Sequence, residues 1–255
     1  MTMQTLREFA VGRKIFVAAH RGSSGTAPEN TMSSFREALE VGAKMIETDI
    51  QFTSDDKIIA FHDARLERTS DGRGIVWEQN YDSISHLDAG KWFDSKYTGE
   101  KIPLLAEVIE LIRSRAYLNI EIKSRRGSQV DERVEKILEL INNTGIKDYS
   151  LFSSFDHKLL AQIKKIDEGY HTAAINIPGD SRLPSEIAKE TGCEAFVCSI
   201  DEINYMSAED AAEHNLYIGV YSIDTLEQLD FILNFNVTAI VSNFPGRIIE
   251  KLRTN

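Results

Sequence analysis

The order of short apolar runs and amphipathic stretches is the feature that most constrains the fold of this chain. Runs rich in β-branched and aromatic residues alternate with stretches that repeat apolar residues at helical spacing. This alternation predicts eight major strands at 15–19, 45–52, 117–123, 149–153, 171–176, 195–199, 217–222 and 239–242, with 58–61 extending the second. It predicts helices at 31–41, 104–113, 130–142, 156–166, 184–191, 208–214, 225–235 and from 245 onward. Such a βα order predicts a closed parallel barrel, and the 255 residues match its typical size.

The alternation breaks once, between about residues 63 and 103. This stretch carries four glycines and a group of aromatic residues, Trp77, Tyr81, Trp92, Phe93 and Tyr97. A long irregular stretch on a barrel is usually functional, and no low-complexity linker sets it apart from the rest of the chain. We therefore predict a single barrel domain over 1–255, with 63–103 as an insertion that covers the mouth of the barrel.

Charge and composition exclude several classes of protein. The chain has 29 Lys and Arg against 40 Asp and Glu, a net charge of −11, which opposes binding to nucleic acid or to an anionic membrane surface. No stretch approaches the ~20 apolar residues of a membrane span, and residues 1–14 do not resemble a signal peptide. Cys193 and Cys198 lie in or beside an apolar run and are expected to be buried free thiols. We expect a cytoplasmic protein without a nucleic-acid partner or stable membrane association.

Ionisable residues collect at the ends of the first three predicted strands, where barrel active sites lie. They are His20 and Arg21, then Glu47 and Asp49 with His62 at the end of the extension, and then Glu121 and Lys123. Residues two apart share one face of a strand, and such charged groups are rarely buried unless they are paired or bind a metal. The pattern indicates one shared site.

The carboxylates Glu47, Asp49 and Glu121 would repel one another if they converged. A divalent cation removes that repulsion, and ligands that are all oxygen favour Mg²⁺ or Ca²⁺ over zinc. The structural alternative is a buried ionic network in which Arg21 and Lys123 neutralise the acids.

A cation, an arginine, a lysine and two histidines together suit an anionic phosphoryl group. The positive groups would stabilise charge on the phosphate oxygens, while His20 and His62 would serve as base and acid. The chain has no Walker loop and no dinucleotide fingerprint.

The ordered motifs of the chain resemble the glycerophosphodiester phosphodiesterase family, in its bacterial cytosolic type. They are Ala19-His20-Arg21-Gly22, Pro28-Glu29-Asn30-Thr31, Glu47-Thr48-Asp49, His62-Asp63, Leu66-Glu67-Arg68-Thr69, Asp88-Ala89-Gly90-Lys91-Trp92, Ile102-Pro103-Leu104 and Glu121-Ile122-Lys123. The resemblance implies a TIM barrel of the phospholipase C-like phosphodiesterase type, with a small insertion after the second strand. It also implies hydrolysis of a small-molecule glycerophosphodiester to sn-glycerol 3-phosphate and an alcohol.

The resemblance also implies a role for each matching residue. Glu47, Asp49 and Glu121 would hold one divalent cation, Mg²⁺ or Ca²⁺. His20 and His62 would be the acid–base pair, and Arg21 and Lys123 would bind the phosphate. Similar enzymes are proposed to form a cyclic phosphate by attack of the neighbouring glycerol hydroxyl.

Two further residues, Glu29 and Tyr221, are secondary candidates. The family places this glutamate beside the metal and phosphate, whereas from the sequence alone Glu29 is expected in a loop hydrogen bond and Asn30 as the N-cap of the next helix. Tyr221 keeps the aromatic residue that the family has at the end of the seventh strand. Asp224 and Asn243 depart from the family, which usually has Asn at the first position and Asp at the second.

Two alternative functions remain at this point. Lys123 inside a barrel strand is compatible with a lyase that forms a Schiff base, although Glu121 beside it would keep the amine protonated. A catalytically silent barrel that binds glycerophosphodiesters is the other alternative.

Overall fold

Strands and helices alternate along almost the whole of the computed structural model, which describes residues 3–11, 15–123 and 130–254. The strands are β1 Phe16–Ala19, β2 Met45–Phe52, β3 Ile58–Ala60, β4 Tyr117–Ile122, β5 Ser150–Ser154, β6 His171–Ile175, β7 Ala195–Ser199, β8 Tyr217–Tyr221 and β9 Ala239–Ser242. The α-helices are α1 Leu6–Ala10, α2 Met32–Glu40, α3 Tyr81–Ser85, α4 Leu105–Ile112, α5 Val130–Thr144, α6 His157–Ile166, α7 Pro184–Thr191, α8 Tyr205–Glu213, α9 Leu226–Ile232 and α10 Pro245–Thr254.

Within the described residues, eight strands pair in parallel and close into a barrel. They pair in the order β1, β9, β8, β7, β6, β5, β4, β2, and β1 also pairs with β2, which closes the ring. The predicted TIM barrel is confirmed. Segment 58–61 does not extend β2 as expected: β3 turns back and pairs antiparallel with it, Ile50 opposite Ala60, because the chain reverses through a turn in which Asp56 has a φ of 61°.

Helix boundaries follow from capping groups and buried faces. The hydroxyl of Thr31 accepts a hydrogen bond from the Ser34 N–H and begins α2, which buries Phe35 and Ala38. The helix predicted at 208–214 begins earlier, at Tyr205, because the side chain of Asn204 caps its first turn. Capping chemistry therefore extends this helix into a stretch that hydrophobic periodicity alone did not include.

Helix α1 was not predicted from the sequence, because five residues are too few to show a helical repeat. Its Leu6 and Phe9 are buried at the N-terminal end of the barrel. The ring of Phe9 lies 5.2 Å from that of Phe16 and 4.5 Å from that of Tyr117. Apolar contacts of this kind rather than helix propensity hold so short a helix in place.

The stretch between β3 and α4 builds a small apolar core of its own. Its buried members pack with β3 and include Leu66, Val76, Ile84, Ala89 and Ile102. The phenol of Tyr97 donates a hydrogen bond to the carbonyl of Thr26, in the loop after β1, at 3.0 Å. The assignment of 1–255 to one domain with 63–103 as an insertion stays a prediction.

Two expectations drawn from composition concern the cysteines and membrane-spanning helices. Cys193 and Cys198 are both buried free thiols, as predicted, and burial raises the pKa of Cys198 to about 12. Within the described residues, no helix is both long enough and apolar enough to cross a bilayer.

Gly22, in the turn after β1, is expected to tolerate no side chain. Its φ is +79°, and a Cβ there would lie 2.5 Å from Ser34 Oγ and 2.6 Å from the Ser34 backbone. We expect Gly22→Ala to lower the free energy of unfolding by about 2–4 kcal/mol, from backbone strain and overlap together. Urea denaturation measures the change.

Gly145→Ala is the matched control for this prediction. Gly145 has a similar φ of +70° with nothing within 4 Å of an added Cβ, so only the conformational cost of about 1 kcal/mol is expected. Equal losses in the two variants would show that the contact with Ser34 is unimportant.

Candidate active site

Three buried carboxylates converge at the C-terminal ends of β2 and β4. Parallel pairing places Asp49 opposite Glu121 and Glu47 opposite Asn119. Glu47, Asp49 and Glu121 are at most 8% exposed, and each offers an oxygen atom within 4.8 Å of the others. Within the described ranges they are the one group of three or more acidic, histidine or cysteine side chains placed to share a metal ion.

The electrostatics of this cluster fit a cation. Burial and then the charge of Asp49 raise the pKa of both Glu47 and Glu121. The Oε1 atom of Glu47 is buried and has no hydrogen-bond partner in the described part of the chain. A buried carboxylate oxygen without a partner is costly unless a positive group lies beside it, and carboxylate oxygens suit Mg²⁺ or Ca²⁺.

Two cationic side chains reach the same cluster. The Lys123 ammonium lies 2.7 Å from Asp49 Oδ1 and also contacts Glu121, and Arg21 Nε lies 3.1 Å from Asp49 Oδ2. Although burial opposes their charge, these carboxylates raise the pKa of both cations, and Lys123 and Arg21 in turn hold the pKa of Asp49 well below its usual range against its burial. Asp49 is therefore ionised between two positive groups.

The loop after β1 is bent to bring Arg21 and Asn30 to this cluster. Both residues have a φ of 56°, a left-handed conformation that costs a non-glycine residue roughly 1–3 kcal/mol. The Arg21 N–H donates to Glu47 Oε2 at 2.8 Å. The predicted N-cap role of Asn30 is wrong, because the amide donates to Asp49 Oδ2 at 2.8 Å and accepts from Thr48, leaving Thr31 to cap α2.

His20 follows β1 and lies on one side of the carboxylates. Its Nε2 is 4.0 Å from Glu47 Oε2, and its Nδ1 lies 2.8 Å from the side-chain oxygen of Asn243. Burial and the neighbouring Arg21 lower the pKa of His20 to about 4. The ring is thus neutral at pH 7, with an amide as its partner.

His62 follows β3 and pairs with a carboxylate instead. Its Nδ1 is 2.5 Å from Asp63 Oδ1, and Arg68 donates to the same carboxylate at 3.0 Å. The Gln51 amide donates to the His62 carbonyl at 3.0 Å, which fixes the backbone. Burial, Lys123 and Arg21 lower the pKa of His62, whereas Asp49 and the hydrogen bond to Asp63 raise it.

Glu29 links the loop after β1 to the insertion. Its Oε1 accepts from Arg21 at 2.9 Å, and its two oxygens accept from Arg68 at 2.7 and 2.8 Å. Burial raises its pKa, but the two arginines outweigh burial and lower it. The loop hydrogen bond expected from the sequence is confirmed as this pair of arginine contacts.

Tyr221, at the end of β8, is half-buried and packs against the apolar cluster that includes Phe9 and Tyr117. Burial, followed by the charges of Glu202 and Glu121, raises the pKa of Tyr221 to about 12. The phenol is therefore neutral at physiological pH.

A cavity of about 510 Å³ opens beside His62. Its lining includes Lys123, Glu121, Phe155 after β5 and Trp77 from the insertion. The insertion thus reaches the mouth of the barrel, as expected, with one of its five predicted aromatic residues in this wall. A second cavity of about 390 Å³, whose lining includes Leu6, Phe16 and Val241, carries none of these charged residues.

Asp224 and Asn243, the two residues that depart from the family pattern, contact each other. Asp224 Oδ1 accepts from the Asn243 backbone N–H at 2.8 Å, and Oδ2 accepts from the Asn243 side chain at 2.6 Å. The carboxylate and the amide have exchanged positions, so one departure complements the other.

Comparison with known proteins decides the family. The model of the glycerophosphoryl diester phosphodiesterase family matches residues 20–247, a range that begins at His20 and includes every charged residue described above. The chain belongs to this family. It shares 41% identity over 244 residues with the glycerophosphodiester phosphodiesterase of Caldanaerobacter subterraneus subsp. tengcongensis, covering 94% of this chain and 98% of that protein.

Other relatives agree. The glycerophosphodiester phosphodiesterase of Bacillus altitudinis is 32% identical, over 93% of this chain and 97% of that protein. The structure of an Oleispira antarctica phosphodiesterase in complex with the product sn-glycerol-3-phosphate superposes with a TM-score of 0.90 at 28% identity, covering 98% of this chain and 100% of that one.

Sequence reasoning brought seven ionisable residues to one site, and the structure places all seven there. It did not assign a role in the site to four residues that orient them, Asn30, Asp63, Arg68 and Asn243. Asp63 and Arg68 lie inside motifs quoted for the resemblance, so their signal was present. Asn30 also lies inside such a motif, but nothing there indicated its contact with Asp49, because a polar residue before a helix indicates a cap.

Proposed function

We propose that the protein hydrolyses glycerophosphodiesters to sn-glycerol 3-phosphate and an alcohol, with a divalent cation and two histidines. The observation that carries the proposal is the meeting of Glu47, Asp49 and Glu121 with two cations and two histidines at one end of the barrel. The bound product named for the Oleispira antarctica relative supports the same substrate class.

Glu47, Asp49 and Glu121 would hold the cation, either Mg²⁺ or Ca²⁺. When bound, the cation supplies positive charge that stabilises the phosphate oxygens as negative charge builds up on them. Arg21 and Lys123 contribute further positive charge from the protein, and their ion pairs with Asp49 hold them at the cluster.

The hydrogen-bond partners of the histidines favour different roles. The amide oxygen of Asn243 accepts Nδ1–H of His20 and leaves Nε2 free to take a proton from the attacking hydroxyl. Asp63 stabilises the cationic form of His62, which would give its Nε2 proton to the leaving alcohol as the bond between phosphorus and that oxygen breaks. If the attacking group is the neighbouring glycerol hydroxyl, the product of this step is a cyclic phosphate, and water would then open it to glycerol 3-phosphate with the two histidines in exchanged roles. Burial, followed by the charges of Lys123 and Arg21, lowers the pKa of His62 in the free protein, and the negative charge of a bound phosphodiester would act in the opposite direction.

The cavity beside His62 supports an alcohol leaving group bound between Trp77 and Phe155. Small soluble diesters fit the chain better than lysolipids, since no amphipathic membrane-binding stretch is evident in the sequence. Tyr221 is proposed to contact the substrate, and Glu29 to hold Arg21 in place.

The alternatives find less support. A Schiff-base lyase needs an uncharged lysine, yet despite burial the neighbouring Asp49 and Glu121 raise the pKa of Lys123. A silent binding barrel would be expected to lack part of the set, whereas every proposed residue is present. The buried free thiols support the cytoplasm as the proposed location.

The direct test is release of glycerol 3-phosphate from glycerophosphocholine. Enzyme stripped with EDTA is expected to be inactive, and added Mg²⁺ or Ca²⁺ is expected to restore turnover, because the acidic cluster is neutralised only in part by Arg21 and Lys123. Full activity after stripping would contradict the metal site. Metal-dependent binding of the diester without turnover in any metal would favour the silent barrel.

A further inference from the structure

Asn243, which follows β9, makes three hydrogen bonds with the loop after β1. Its side-chain oxygen accepts hydrogen bonds from His20 Nδ1 at 2.8 Å and from the Ser24 hydroxyl at 2.7 Å. Its backbone carbonyl accepts from the Gly25 N–H at 2.8 Å. The Asn243 side chain therefore connects the loop after β1 to the C-terminal end of β9.

The direction of the Asn243 amide is set from its other side by Asp224. An ionised carboxylate only accepts hydrogen bonds, so the –NH₂ group of Asn243 must face Asp224, 2.6 Å away. The opposite end of the amide, its oxygen, then faces His20. Asp224 is itself fixed by the Asn243 backbone N–H at 2.8 Å and the Ser242 hydroxyl at 3.2 Å.

We propose that Asp224 is a positioning residue, which acts through Asn243 to hold His20 in the Nδ1–H tautomer with Nε2 free toward the carboxylate cluster. A carbonyl oxygen can only accept, so Nδ1 must carry the proton. The catalytic importance of Asp224 rests on the proposed function, because the Nδ1–H tautomer of His20 matters for catalysis only if Nε2 acts as the general base.

Loss of the Asp224 charge is expected to reverse the orientation of the Asn243 amide and with it the tautomer of His20. In Asp224→Asn the new amide accepts from the Asn243 backbone with its oxygen and turns its –NH₂ toward the –NH₂ of Asn243. Two donors then face each other, and rotation of the Asn243 amide relieves the conflict. His20 Nδ1 would then face a donor, and the proton would move to Nε2.

The test combines kinetics with nitrogen NMR of the histidine ring. Asp224→Asn is expected to lower kcat by about 100-fold or more with a smaller change in KM, because the base is lost and the binding groups are not. The ¹⁵N shifts of His20, assigned by their absence in His20→Gln, are expected to change from the Nδ1–H to the Nε2–H pattern.

A reciprocal exchange separates orientation from folding. In the double variant Asp224→Asn with Asn243→Asp, the new amide donates to the new carboxylate, which accepts from His20. This variant is expected to recover the Nδ1–H pattern and most of kcat. Asp156→Asn is the matched control, because Asp156 caps α6 from the same end of the barrel through bonds that asparagine also makes.

The outcomes distinguish this proposal from the function. An unchanged tautomer in Asp224→Asn, or a double variant no better than the single one, would overturn the positioning role even in an active enzyme. A wild type that releases no glycerol 3-phosphate while Asp224→Asn inverts the tautomer would leave the orientation established and refute the proposed function.

Discussion

His20→Ala and His62→Ala are each expected to lower kcat/KM for glycerophosphocholine by about 10²- to 10⁴-fold, the usual contribution of a general acid or base. His20 lies 4.0 Å from Glu47, and His62 borders the cavity beside Lys123, so the two rings lie beside the charged cluster at different strand ends. Steady-state kinetics with saturating metal measures the loss.

His86→Ala is the control, because His86 lies exposed in the insertion and is expected to leave the rate unchanged. Retention of near wild-type kcat/KM by either site variant would remove that histidine from the acid–base pair. Circular dichroism and the melting temperature would establish that the variants are folded. A loss confined to KM would indicate a binding role instead.

Glu47→Gln is expected to weaken the affinity for Mg²⁺ or Ca²⁺ by at least about 100-fold. Loss of an outer partner of a metal ligand already costs 10- to 100-fold, and Glu47 offers a buried oxygen that has no other partner in the described chain. Its second oxygen accepts from the Arg21 N–H, a bond that glutamine can keep. Titration calorimetry of stripped enzyme measures the affinity.

Excess metal is expected to restore part of the activity of Glu47→Gln. Glu110→Gln is the matched control, since its carboxylate is 74% exposed on α4 and lies outside the acidic cluster. Equal metal affinity in wild type and Glu47→Gln would exclude Glu47 as a ligand. An activity loss that no metal concentration reverses would favour the structural alternative, a buried ionic network in which Arg21 and Lys123 neutralise the acids.

Much of the site could be predicted from residue spacing because the strands are parallel. Glu47 and Asp49, two apart, must share a face of β2, and Glu121 and Lys123 must share one on β4. Neighbouring parallel strands then bring their carboxyl ends together.

Features that depend on a turn or a cap were harder to predict. Segment 58–61 was expected to extend β2, although it pairs with it in the reverse direction. Asn30 was expected to cap a helix, although its amide is held by Asp49 and Thr48. A short polar side chain satisfies a helix end or a buried acid equally well, and only the position of β2 decides between them.

The sequence by itself determined the barrel and the ionisable set at the strand ends, because those follow from periodicity and spacing along the chain, and its ordered motifs carried the resemblance to the family. Tertiary structure alone decided which groups orient that set. Asp224 meets Asn243 only because β8 and β9 are neighbours in the barrel, and Arg68 meets Glu29 only because the insertion folds back over the mouth. Hydrogen bonds between side chains distant in sequence leave no periodic signal, since their geometry exists only after the sheet has closed.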